Sequence, residues 1–185
     1  MKSTNIKHRV PDSIRHEAET ALRFFPELSN IDIRFRFKRR IKKSTMLAQP
    51  ILKTLFRKKA NRAYVILISK TFKISGKTFL TKNIPSDIMI GWLGHELGHI
   101  MDYQNRSWFN LILFGIKYLF VEKHIVEAER AADTFAVKNG MYTYILKTKN
   151  FILNHSELDE TYKLRIKKYY LSPEEIMEIV NKPAE

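Results

Sequence analysis

His95-Glu96-Leu97-Gly98-His99, followed thirty residues after its second histidine by Glu129-Arg130-Ala131-Ala132-Asp133, is the pair of stretches from which the rest of the chain can be read. On a helix, residues four apart share a face, so the imidazoles of His95 and His99 can converge on one divalent metal. Glu96 then lies about 100 degrees round the helix from His95, beside the metal rather than on it. Two neutral imidazoles are good zinc ligands, and a catalytic zinc usually takes three protein ligands and leaves a fourth position for water. The pattern points to metal-assisted hydrolysis and calls for a third ligand.

Peptidases of the Met-turn type place that ligand, a histidine, six residues after the motif, with a glycine between. Here those positions hold Asn105 and Asp102, which excludes that arrangement. Glu129 is the better candidate. The run from Ile125 to Val137 is helix-compatible, and Glu129 and Asp133, again four apart, would offer one carboxylate to the metal and one to a ligand histidine. Carboxylates in that outer position fix the tautomer and orientation of a ligating imidazole. A closed structural zinc site normally uses four Cys or His ligands, and this chain has no cysteine. The bland alternative is a packed core histidine and an ordinary solvated face carrying Glu127, Glu129 and Asp133 opposite Arg130.

At these residues the chain resembles the gluzincin metallopeptidases, most closely the prenyl-protein protease and bacterial heat-shock membrane protease group, over about Ser86 to Gly140. The resemblance implies an α+β, zincin-like domain with a small β-sheet, a catalytic metal-binding helix and a second ligand helix. It implies one Zn2+ per chain on His95, His99 and Glu129, with Glu96 as general base and Asp133 behind a ligand histidine. It also implies that one strand aligns a peptide substrate by edge pairing; Tyr64 to Ser69, in the last long strand before the metal helix, is the expected one. In the relatives, a His-Pro element followed six residues later by Arg-Ile supplies a group near the reacting carbonyl. Here His155 is followed by serine and lies ten residues before Arg165, and on that footing His155 is the candidate for oxyanion stabilisation. The membrane relatives place spanning helices between the two motifs, and this chain lacks room for a hairpin of them.

Gly91, Gly94 and Gly98 all fall inside the expected catalytic helix, where a glycine costs about 0.8–1.0 kcal/mol relative to alanine. Close approach of the alanine-rich Glu129 helix (Ala128, Ala131, Ala132, Ala136) to the side carrying Gly94 and Gly98 would offset that cost. Alternatively, one of the glycines marks a helix boundary.

The 185 residues, 44% hydrophobic, suffice for one core, and residues 1–185 read most simply as a single domain. Absence of cysteine removes disulfides and thiol catalysis and fits a reducing compartment. Met1 to Arg9 lacks the apolar stretch of a secretory signal, so a cytoplasmic location, peripheral to the membrane at most, is the expectation. The net charge of +14 is unevenly placed: between Ile33 and Ser86 stand sixteen Lys or Arg residues and no Asp or Glu. Such asymmetry suits an anionic partner, whether a phospholipid surface, nucleic acid or an acidic polypeptide, or else a solvated face that keeps the protein soluble.

Along the chain, Asp12 to Phe25 reads as an amphipathic helix ended by Pro26. Ile31 to Lys38 alternates apolar and charged residues, the mark of a half-buried strand. Ala63 to Ser69 is continuously apolar and reads as a strand buried on both sides, and Thr78 to Thr81 as a third strand. Pro85-Ser86-Asp87 opens the catalytic helix, Ile88 to about Tyr103. Two segments suit a membrane surface. Ser44 to Lys59 has an interfacial basic amphipathic composition interrupted by Pro50. Trp108 to Val121 is apolar except for Asn110 and Lys117, too short to cross a bilayer, and reads as a core or interfacial helix. Glu157 to Tyr170 and a segment from Ser172 read as further helices. No phosphate-binding glycine loop, nucleotide fingerprint or repeat is visible. The expectation is a zinc-dependent peptidase acting on a peptide or protein substrate. Its rival is a catalytically weak, zinc-stabilised domain whose basic face binds anionic lipid or nucleic acid.

Overall fold

The computed structural model describes residues 8–41, 44–74, 77–154 and 160–182, which form a mixed α+β structure, mostly helical around a small sheet. A 3-10 turn at Asp12–Ile14 leads into α1 (Arg15–Arg23), whose buried Ala18 and Ala21 face the core. The alternating segment forms β1 (Asp32–Lys38), burying Ile33 and Phe35 and leaving Arg36 and Lys38 in solvent. β2 (Met46–Pro50) and β3 (Ala63–Ser69) complete a three-stranded sheet in the order β1-β3-β2, with β1 parallel and β2 antiparallel to β3.

β3 is therefore the central strand. That explains its unbroken apolar run, since both faces are covered. It also overturns the expectation that Tyr64 to Ser69 pairs with a substrate, because its backbone groups already bond β1 on one side and β2 on the other. The edge strand on that side of the sheet is β2. This same segment corrects the reading of Ser44 to Lys59 as one amphipathic stretch: Pro50 ends an edge strand, where a missing N–H is tolerated, and 3-10 turns at Leu52–Thr54 and Lys59–Asn61 carry the chain to β3. Nor does Thr78 to Thr81 join the sheet; β4 (Thr71–Ile74) and β5 (Lys77–Leu80) make a separate hairpin.

The central element is α2 (Ser86–Asn105), packed on α1, β2, α4 (Glu122–Ala136) and α5 (Tyr142–Asn154). Leu93, Leu97 and Ile100 are fully buried on it, each contributing about 1.5–3 kcal/mol of transfer free energy. A helix surrounded on so many sides needs small residues where neighbours cross. A Cβ on Gly98 would lie 2.2 Å from the Ala132 carbonyl oxygen of α4, and one on Gly91 2.7 Å from the Tyr144 carbonyl oxygen of α5. Gly94 departs from expectation: it faces the Met141 side chain, beyond the end of α4.

Between α2 and α4 lies α3 (Trp108–Phe120), started by Ser107, whose hydroxyl accepts a hydrogen bond from the Asn110 N–H. After α4 a wide turn over Val137–Met141, with Gly140 at a φ of 89°, redirects the chain so that α5 packs on α2 nearer its N-terminus, with Tyr144 and Thr148 against Gly91. α6 (Glu160–Tyr169) and α7 (Pro173–Asn181) follow, the latter opened by a capping box between Ser172 and Glu175. The Arg130–Glu175 ion pair ties α4 to α7. Among the described residues, no helix is long and apolar enough to cross a membrane.

Candidate metal centre

The helical spacing of His95 and His99 places both rings on the face of α2 that meets α4, and the Gly98–Ala132 crossing sets how closely the two helices approach. Glu129 projects from α4 between the imidazoles. Its Oε2 lies 3.0 Å from His95 Nε2 and 3.5 Å from His99 Nε2. Each of the three residues offers an atom within 4.8 Å of the others, so the group could hold a metal ion.

One turn along α4, Asp133 stands behind His95. Its Oδ1 is 2.8 Å from His95 Nδ1, which leaves Nε2 turned to the centre. Asp133 is itself held: the Lys149 ammonium on α5 donates to Oδ2 at 2.6 Å and the Leu171 backbone N–H at 3.1 Å. Lys149 also sits 4.2 Å from the centroid of Tyr170, whose ring is 5.3 Å from that of His95. His99 stacks on Tyr103, centroids 6.0 Å apart, and its Nδ1 is buried without a hydrogen-bond partner. That ring is oriented by packing, whereas His95 is oriented by a carboxylate.

Glu96 points away from Glu129 toward the sheet, where its Oε2 accepts the Ala48 N–H of β2 at 2.6 Å. The β2–β3 ladder bonds at Thr45 and Ile51, so the alternation of an antiparallel pair turns the backbone groups of Met46 and Ala48 to the outer edge. Glu96 thus lies between the ligand group and an edge strand. Tyr118 of α3 completes the centre by donating its hydroxyl to Glu129 Oε1 at 2.6 Å.

Electrostatics follow from burial and pairing. Burial opposes charge on His95, but hydrogen bonds and charge from Asp133 and Glu129 outweigh it and push the imidazole up to about 10. Burial likewise opposes charge on Glu129, yet His99 and His95 hold it well below the ordinary carboxylate range. Asp133 is also lowered, its burial outweighed chiefly by Lys149 and His95. Glu96 goes the other way: burial raises it, against the pull of the two histidines. Burial, then the Glu129 charge, raises the Tyr118 hydroxyl. The carboxylates in and behind the centre are therefore held ionised, and the one beside it is poised to take a proton.

The structure brings together His95, Glu96, His99, Glu129 and Asp133. His155 lies outside the described residues. Sequence reasoning missed Tyr118, Lys149 and Ala48. Lys149 carried a signal, since Ile145, Lys149 and Ile152 recur at helical spacing and put a lysine among buried positions. Tyr118 and Ala48 reach the centre from elements whose placement is set by packing alone.

No family model matches the chain, and no curated protein or solved structure matches it either.

Proposed function

We propose that the chain is a zinc-dependent peptidase of gluzincin type, with a zincin-like arrangement of sheet, catalytic helix and second ligand helix. The observation that carries the reading is the position of Glu96, a buried carboxylate with a raised proton affinity, between a His-His-Glu group and the outer edge of an antiparallel strand. A metal-binding role alone needs no such base.

Zinc is the metal that two imidazoles and a carboxylate suit, and when bound by His95, His99 and Glu129 it supplies Lewis acidity and water activation. Asp133 keeps the proton of His95 on Nδ1, so that Nε2 is the free donor atom. An extended peptide adds to the edge of β2 through the backbone groups of Met46 and Ala48, displacing the Tyr103 hydroxyl that reaches the Ala48 carbonyl at 3.4 Å, and its scissile carbonyl then lies along the Glu96 face of α2. Glu96 leaves the Ala48 N–H, takes a proton from the attacking water and passes it to the departing amine. Among the described residues, Tyr118, whose hydroxyl already reaches Glu129, is close enough to the centre to donate to a developing oxyanion.

Glu96→Gln keeps size and hydrogen bonding but removes the base. The variant should retain zinc and fold stability while hydrolysis of a peptide library falls by roughly 10²–10⁴-fold. Equal turnover by both proteins, or full zinc binding by both with no cleavage by either, would replace the peptidase with a zinc-stabilised binding module.

A further inference from the structure

The helix that supplies Tyr118 has two apolar faces and uses one. Leu111, Phe114 and Tyr118, at spacings of three and four, turn inward; Leu111 is buried and Phe114 lies against Tyr103. The other face carries Trp108, Phe109, Ile112, Leu113, Ile116, Leu119 and Phe120, and every one is exposed, from 37% at Ile112 to 81% at Phe120. The reading of Trp108 to Val121 as a core helix therefore fails for this face. The ridge continues across the chain: Phe56, 70% exposed, packs its ring 5.3 Å from that of Trp108, and Leu52 on the same loop is 76% exposed. Contiguous apolar surface on this scale marks a place where water is displaced by something else.

Charge says what. The loop carrying Leu52 and Phe56 also carries Lys53, Arg57, Lys58 and Lys59, all exposed, and Lys117 and Lys123 flank the far end of the ridge. No acidic residue occurs between Asp32 and Asp87, nor between Asp102 and Glu122. One residue beyond Phe56, Arg57 lines a hollow shared with Arg9, Arg62 and the Arg34–Asp32 ion pair, and Arg62 is buried with its Nε unpartnered. An apolar ridge rich in aromatics, rimmed mainly by cations, with Glu122 and Glu127 at its far end, matches an anionic bilayer surface: acyl chains for the ridge, headgroup phosphates for the rim. With thirteen residues, α3 is about 20 Å long, too short to cross and long enough to lie in the interface.

We propose that the protein docks peripherally on anionic membranes, with the outer face of α3 and the Leu52–Phe56 loop seated at the headgroup boundary. This goes beyond the peptidase reading and does not depend on it, since none of the docking residues touches His95, His99 or Glu96. Docking would nevertheless hold the inner face of the same helix, and hence Tyr118, against the metal centre.

Flotation of the full chain with phosphatidylcholine vesicles, alone or with about 30% phosphatidylglycerol, tests it. The protein should float with the anionic vesicles, bind neutral ones at least tenfold less, and be released as salt rises through the physiological range. Ile116→Asn/Phe120→Asn and, separately, Lys53→Glu/Arg57→Glu/Lys58→Glu should each weaken binding by roughly tenfold or more while circular dichroism and melting stay native. Glu96→Gln should float like the wild type, so a failed peptidase reading and a failed docking reading are told apart. Brominated acyl chains should quench Trp108 emission, and Trp108→Phe should remove that quenching. The proposal is overturned if the wild type stays unbound to anionic vesicles at low salt, or if the surface variants float as well as it does. It is equally overturned if the basic loop retains nucleic acid while vesicles are ignored, or if the ridge proves to be a self-association interface on sedimentation with no vesicle binding.

Discussion

Asp133 fixes His95 from behind, its Oδ1 2.8 Å from the imidazole Nδ1, and thereby decides which ring nitrogen faces Glu129. The histidine that lacks such a partner, His99, is aligned instead by stacking on Tyr103. The two ligand candidates of one motif are thus positioned by different physics: a charged hydrogen bond for one, shape for the other. Removal of Asp133 and removal of Tyr103 should accordingly affect the centre differently. Asp133→Asn keeps the shape and weakens the orienting bond, and metal affinity should fall about 10–100-fold, measured by competition with a chelating dye.

Glu129 and Glu127 stand two residues apart on α4, one buried among the histidines and the other exposed beside His124. Purified protein should carry about one zinc per chain, and Glu129→Ala should abolish stoichiometric loading while Glu127→Ala leaves it intact. Elemental analysis after gel filtration decides the matter. A normal metal content in Glu129→Ala would remove that residue from the ligand set.

Lys149 is a buried cation whose carboxylate partner is Asp133, at 2.6 Å. Lys149→Met leaves Asp133 in the core with only the His95 imidazole and the Leu171 N–H as partners, and urea unfolding should show a loss of roughly 1–3 kcal/mol. In the double variant with Asp133→Leu the buried charge is gone from both sides, and much of the stability should return even though metal affinity does not. A double variant no more stable than Lys149→Met would mean that packing around Tyr170, rather than the ion pair, sets the cost.

Gly98 gives up its side chain to the α2–α4 crossing. Gly98→Ala drives a methyl group against the Ala132 carbonyl, which is backbone and cannot step aside as a side chain would. Destabilisation of about 3 kcal/mol or more is expected, with weaker metal binding because the ligand helices are pushed apart. Gly94→Ala meets only the flexible Met141 side chain and should cost less. Paired thermal melts and zinc titrations rank the two.

In chelator-treated protein the centre should stabilise the fold within a bounded pH range. His95 is raised from 6.5 to about 10, so its contribution is fully present below about 6.5 and is lost as pH rises through about 10. Glu129 and Asp133 are lowered from 4.5 and 3.8, so theirs is present above the ordinary carboxylate range and lost as pH falls through the lowered values. The melting temperature should therefore be highest near pH 5–6 and decline toward alkaline pH. Zinc competes with the proton on His95, so the increment in melting temperature on adding zinc should grow between about pH 6 and pH 9. An increment independent of pH would contradict a protonated His95 in the chelator-treated protein.

The sequence by itself determined the helices that carry the candidate ligands, because four-residue spacing puts His95 with His99 and Glu129 with Asp133 on common faces whatever surrounds them. It also determined β1 and β3, whose alternating and continuous apolar patterns are local signatures of how many faces are covered. Partners distant in the chain were decided by tertiary structure alone. Whether β3 is central or at an edge depends on β2, a five-residue strand ended by Pro50 and masked by a basic, turn-rich composition. The reach of Tyr118 to Glu129, of Lys149 to Asp133 and of Ala48 to Glu96 depends on how four helices and a strand pack around α2. The exposure of α3 is of the same kind. Its apolar residues read alike from sequence on both faces, since hydrophobicity is a property of the residue and burial a property of its neighbours.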